Sequence, residues 1–154
     1  MKEDAPRVIK IPAKPEATRQ AEACRQLLVA AYCRVSTKEE DQANSYEAQK
    51  EYYTDKIMSN PAWTMAGIFA DKGITGTSVK KREDFMRMIR HCRQKKIDVV
   101  LTKSVSRFAR NTVDCLYYTR ALKELGIAVI FEKENIHSLE EDSELRITLS
   151  GAFA

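Results

Sequence analysis

The chain has 154 residues, 44% hydrophobic and 31% charged, with a net charge of +4. That length suits one compact domain with a sizeable core, and no apolar run approaches the length that crosses a bilayer. Met1-Lys2-Glu3-Asp4 opens no apolar signal segment, so a cytoplasmic protein is expected.

Residues 1–26 hold three of the four prolines and no consistent period. They read as an extension with one short helix over residues 16–26. The continuous apolar run at 27–33 predicts a strand buried on both faces. Residues 37–43 are loop-like, and Asn44 with Glu47 resembles a capping box. A helix then runs to about Met58, where Ser59-Asn60-Pro61 stops it. A second strand covers 63–70 and a loop 71–81. Over 83–96, Phe85, Met88, Ile89 and Cys92 form one apolar helical stripe. A third strand follows at 97–102. The third helix covers about 111–125, with Asn111 as N-cap and Gly126 just past its end. A fourth strand spans 127–131, and a last helix begins near Ser143.

Strand and helix alternate four times with short joints. The expected fold is α/β, a mostly parallel sheet of about four to five strands with helices on both faces. In such sheets ligands sit beyond the carboxyl ends of the strands. Ser36, Asp71 and residues 103–110 all follow strand ends. Arg34 and Ser36 are two apart and share one side of an extended segment. Arg107 and Arg110 are three apart and would be neighbours in a helical turn. A hydroxyl needs activation to act as a nucleophile, and guanidinium forks match phosphate oxygens. Guanidiniums also stabilise the charge that builds on a phosphodiester under attack. A serine framed by arginines therefore points to phosphodiester chemistry, without a histidine base and without a metal.

Charge is distributed unevenly. Residues 80–110 carry eleven Lys or Arg against three acids, whereas residues 132–144 carry six acids against one Lys. For Arg87, Arg90, Arg93, Lys95 and Lys96, phosphate contact and a solvated helix face both stay open. The acidic stretch reads as a surface loop. The four cysteines are scattered with no Cys-x-x-Cys pair, as are His91 and His137. Free thiols and no metal site are expected.

Tyr32-Cys33-Arg34-Val35-Ser36-Thr37 resembles the nucleophile motif of the serine site-specific recombinases, the resolvase/invertase family. The resemblance continues through Ser45-Tyr46-Glu47-Ala48-Gln49, then Phe69-Ala70-Asp71-Lys72-Gly73-Ile74-Thr75-Gly76 and Arg82. It ends with Ser106-Arg107-Phe108-Ala109-Arg110-Asn111-Thr112. It implies that Ser36 attacks a DNA phosphate to give a 5′-phosphoserine link and a free 3′-hydroxyl, and that religation needs no ATP. It implies that Arg34, Arg107 and Arg110 bind the scissile phosphate, with Gln49, Asp71 and Arg82 in supporting positions. Lys103 and Arg82 are candidate DNA contacts. Gln49 as an exposed helix residue, Asp71 as a turn residue, and Arg82 and Lys103 as plain surface charges also remain open. Ser106 stands where many members carry an acid, and no catalytic role is assigned to it.

The wording of the last motif is similar to large transposon- and phage-type members, which implies integration or excision of a mobile element. The implied division is 1–26 extension, 27–142 catalytic domain and 143–154 the start of a truncated dimerisation helix. The implied partners are double-stranded DNA and a second copy, in a homodimer that pairs into a tetramer, with no cofactor and no membrane. The 154-residue chain alone is expected to bind DNA weakly and recombine nothing. Three other readings stand beside this one: a non-catalytic phosphate- or nucleic-acid-binding α/β module, a serine hydrolase and a regulatory domain. No Gly-x-x-x-x-Gly-Lys-Ser/Thr, Gly-x-Gly-x-x-Gly or Gly-x-Ser-x-Gly supports the nucleotide-binding or hydrolase forms.

Overall fold

The first apolar run becomes strand β1 (Leu27–Ser36), flanked on one side by β2 (Trp63–Gly73). Both are three residues longer than the sequence pattern predicts, because they pair with each other in parallel from Leu27 opposite Trp63 to Ser36 opposite Gly73. The computed structural model describes residues 25–36, 45–73 and 82–152. The loop expected at 37–43 lies outside them, as does most of the helix expected over 16–26; Arg25 and Gln26 are not helical.

Between β1 and β2 lies helix α1 (Tyr46–Met58). Its cap is Ser45, whose hydroxyl accepts from the Ala48 amide at 3.2 Å. Asn44, expected to open a capping box with Glu47, lies outside the described residues; the cap of α1 is Ser45, in extended conformation. Helix α2 (Glu83–Arg93) ends before Lys96, and the chain turns through Lys95 at a φ of 59°. Strand β3 (Val99–Thr102), the one-turn helix α3 (Val105–Phe108) and helix α4 (Thr112–Glu124) follow. Asn111 caps α4 by accepting from Asp114 at 2.8 Å. Gly126 takes the left-handed φ of 76° beyond the helix end, where a side chain would be strained. Strand β4 (Ala128–Phe131), the short β5 (Ile136–His137) and helix α5 (Ser143–Ala152) complete the described chain.

The strands lie in the order β2-β1-β3-β4-β5. All pairs are parallel except β4 with β5. Alternation along β1 divides the core between the two faces of the sheet. Val29, Ala31, Cys33 and Val35 meet Tyr53 and Ile57 of α1. Ala30 and Tyr32 belong to the larger cluster that includes Phe85 of α2, Phe108 of α3, Leu122 of α4 and Ile147 of α5. Cys33, Cys92 and Cys115 are buried free thiols, each pushed up to about 12 by burial. Among the described residues, no helix is long and apolar enough to cross a membrane, and no group of three or more His, Cys, Asp or Glu could hold a metal.

Candidate active site

The order of the strands reverses between β1 and β3, the switch point at which sheets of this order open a crevice beyond the strand ends. These two strands pair directly, with Tyr32 opposite Thr102. The segment that closes β1, Arg34-Val35-Ser36, therefore emerges on the same rim as Lys103 and α3. A side-chain contact joins the two motifs across 72 residues: Arg34 Nη1 donates to the Ser106 carbonyl at 3.5 Å. From the opposite face, Gln49 of α1 donates through Nε2 to the Arg34 carbonyl at 3.1 Å. Gln49 is 9% exposed, so its reading as an exposed helix residue is corrected. Its carboxamide helps to hold the backbone that leads into Ser36.

Asp71 lies opposite Arg34 in the β1–β2 register, yet its carboxylate is turned to a different task. One oxygen accepts from the Asp84 amide and the other from the Phe85 amide, each at 3.0 Å. The latter oxygen also accepts from the Tyr32 hydroxyl at 2.9 Å. A carboxylate on the free N–H groups of a helix start is a charge-assisted cap. Arg82, at the N-cap position of α2, makes no side-chain cap of its own, and Asp71 supplies one from β2. Asp84 returns the link by accepting from the Ala70 amide at 3.0 Å.

Arg82 bridges β1 and α3. Its guanidinium lies 3.8 Å from the Phe85 ring centre and 5.1 Å from that of Tyr32. It donates to the Tyr32 hydroxyl at 3.3 Å and also to the Phe108 carbonyl. Burial of Tyr32 raises its phenol well above the ordinary range, so the hydroxyl stays neutral and serves as the hinge of an Asp71–Tyr32–Arg82 chain. Readings of Asp71 as a simple turn residue and of Arg82 as a solvated charge are both corrected.

Arg107 sits on α3, whose N-cap Ser104 accepts from the Arg107 amide at 3.3 Å. The Ser104 and Ser106 hydroxyls lie 3.1 Å apart. Arg110 is not on the same helical turn: α3 stops at Phe108, and Ala109 is extended at φ −143°, ψ 158°. The sequence-based expectation of one shared turn is corrected. The chain leaves α3 to meet the separate Asn111 cap of α4, and it carries Arg110 to an exposed cavity of about 290 Å³ shared with Ser106 and Lys133. Lys103 is exposed at the end of β3. It lines a second cavity of about 290 Å³, with Gln49, Tyr52 and Glu132.

The acidic stretch is not a plain surface loop. Glu132, directly after β4, accepts from Tyr52 at 2.7 Å and Lys56 at 2.8 Å, both residues of α1. Burial pushes its carboxyl up, but the bonds from Lys56 and Tyr52 outweigh that and hold it below the usual range. Glu134 accepts from the Val105 amide at the start of α3. Sequence reasoning missed both. Glu132 was within reach of the strand-end rule that singled out Ser36, Asp71 and Lys103. Glu134 had no such signal, because its partner is a backbone amide.

The rim thus carries Arg34 and Ser36 at the end of β1 and Lys103 with the Arg107-bearing α3 beyond β3, whereas Arg110 lines the cavity it shares with Ser106 and Lys133. Residues 29–154 match the family model described as Resolvase, N terminal domain. Among solved structures the chain is similar to a resolvase family site-specific recombinase from Streptococcus pneumoniae, at 30% identity and a TM-score of 0.64, over 83% of this chain and 85% of that one. It is also similar to the N-terminal catalytic domain of TP901-1 integrase, at 24% identity and TM-score 0.60, over 81% and 92% of the two chains. The C-terminal catalytic domain of ISC1926 TnpA, an IS607-like serine recombinase, shares the fold at 17% identity and TM-score 0.56, over 69% and 70%. No curated protein matches the chain.

Proposed function

Because the chain belongs to the resolvase family, we propose that it is the catalytic domain of a serine recombinase that breaks and rejoins double-stranded DNA. The reading rests foremost on the parallel pairing of β1 with β3, which gives Ser36 and the arginine-bearing segment 103–110 a common rim. In the reaction, the Ser36 oxygen attacks a DNA phosphorus, the phosphorus–O3′ bond breaks, and the serine proton is passed on as the 3′-hydroxyl forms. A 5′-phosphoserine link results. Attack by a 3′-hydroxyl on that link reverses the bond changes, so religation draws on the retained ester and needs no ATP.

Arg34, Arg107 and Arg110 bind the non-bridging oxygens and stabilise the charge that develops there. They also favour the ionised form of the attacking serine, as opposite charges do for any acid. Lys103 adds a phosphate contact. Gln49, Asp71 and Arg82 act by holding the segments that carry these groups. The reaction serves integration or excision of a mobile element.

The second copy docks on the apolar surface of α4 and α5. Val113 and Tyr117 of α4 and Leu145 and Leu149 of α5 are each at least half exposed, and the spacing of four within each pair sets its two apolar side chains on one helix face. Two such dimers pair on DNA.

The deciding experiment incubates the full-length protein with nicked suicide DNA and looks for a covalent adduct. Wild-type protein forms it and Ser36→Ala does not. An adduct that survives Ser36→Ala, or strand cleavage that leaves no protein on the DNA, overturns the reading. Phosphate binding with no cleavage favours a non-catalytic binding module instead.

A further inference from the structure

Helix α3 has four residues, too few to hold itself, since a first helical turn costs more conformational freedom than its one hydrogen bond returns. Its own cap, Ser104, meets the Arg107 amide, and the rest of its restraint must come from outside. Arg82 fixes the carboxyl end through the Phe108 carbonyl. At the amino end, the Val105 N–H has no carbonyl within the helix to bond. Glu134 meets it, with both carboxylate oxygens 3.3 Å from the amide nitrogen.

Glu134 is itself held. The Lys133 amide extends the β3–β4 pairing by donating to the Lys103 carbonyl at 2.8 Å. Arg146 of α5 donates to the Glu134 carbonyl at 3.0 Å. The next residue, Asn135, turns the chain at a φ of 52°. The carboxylate therefore reaches α3 from a braced turn, and Arg107 stands two residues beyond the amide it caps.

We propose that Glu134 is a positioning residue for Arg107. Its carboxylate holds the first turn of α3 and so sets where the Arg107 guanidinium meets the phosphate. Arg146 ties the same turn to α5, so the seating of α5 is felt at the arginine. This proposal rests on the recombinase reading above, in which Arg107 binds the scissile phosphate.

The test has two readouts. In amide hydrogen exchange on the protein without DNA, Glu134→Ala exchanges about tenfold faster or more across residues 105–108, as the loss of a charge-assisted hydrogen bond requires. Strand β3 and helix α4 keep their protection. In single-turnover adduct formation by the full-length protein, Glu134→Ala is slowed about tenfold. Glu134→Gln, which keeps an acceptor oxygen, recovers most of that rate. Glu134→Ala combined with Arg107→Ala is no slower than Arg107→Ala alone, because the two act as one unit. Unchanged exchange in α3, or slowing that multiplies with that of Arg107→Ala, overturns the proposal. If wild-type protein forms no adduct, the recombinase reading fails, and the exchange experiment still decides whether Glu134 holds α3.

Discussion

Arg82, at the foot of α2, closes the far end of α3 by donating to the carbonyl of Phe108 while its guanidinium lies over Phe85. The bond needs a planar fork that donates to Tyr32 and Phe108 together while stacked on a ring, a geometry that an ammonium does not reproduce. Arg82→Ala is expected to destabilise the domain by about 2 kcal/mol, from one charged hydrogen bond and a partly buried cation–π contact. Arg82→Lys should recover less than half of that. Chemical denaturation of the three proteins measures it. Equal stability of the lysine variant and wild type would show that charge alone suffices.

Asp71 makes a prediction about cause. Its carboxylate caps α2 through the amides of Asp84 and Phe85, so its removal should first loosen the fold. Asp71→Ala is expected to cost about 1–2 kcal/mol, the range for a lost helix cap, and Asp71→Asn less. Adduct formation should fall only as far as the packing of α2 does. A variant that melts like wild type but cleaves a hundredfold more slowly would instead give Asp71 a direct part in the chemistry.

Glu132 gives the domain an acid limb. Its carboxyl is held below the usual range in the folded protein, since the bonds from Lys56 and Tyr52 outweigh burial. The unfolded chain binds the proton more readily, at about pH 4.3. The stabilisation is therefore present above that pH and is lost as pH falls through the folded value. Glu132→Gln should melt lower than wild type at pH 7, and the two melting temperatures should converge as the solution is acidified. A gap that stays constant with pH would contradict this.

Helix α5 approaches the start of α4 closely enough that a methyl group on Gly151 would collide with the Thr112 hydroxyl. Gly151→Ala should cost about 1–3 kcal/mol, as overpacking does, despite the better helix propensity of alanine. Adding Thr112→Ala should restore much of the loss. Additive losses in the double variant would mean that the contact is not the cause.

The outward side of α5 offers the opposite experiment. Leu145 and Leu149 are 63% and 50% exposed, so their replacement by glutamate should leave the stability of a single copy nearly unchanged. If this face joins two copies, Leu145→Glu with Leu149→Glu shifts the protein toward monomer in sedimentation. A mass distribution identical to wild type would remove the face from the interface.

Much of the architecture was legible before any coordinates. The apolar stripe of Phe85, Met88, Ile89 and Cys92 reports the buried face of α2, and Asn111 and Gly126 bracket α4, because periodicity and caps are local properties. Strand β5 escaped because two residues cannot display a period. The strand ends also escaped, since β1 and β2 run on only while each has the other to bond.

The same division runs through the site. Residue order alone determined that Arg34 and Ser36 close one strand and that Lys103 and Arg107 follow another, and alternating strands and helices make such a sheet parallel, so both segments leave it at one rim. Only the tertiary structure decided that Asp71 caps α2, that Arg82 and Glu134 brace the two ends of α3, and that Arg110 leaves the turn of Arg107. Those facts depend on backbone amides and carbonyls meeting side chains from far along the chain. Every residue carries the same amide and carbonyl, so no choice of amino acid reveals which of them a distant side chain will meet.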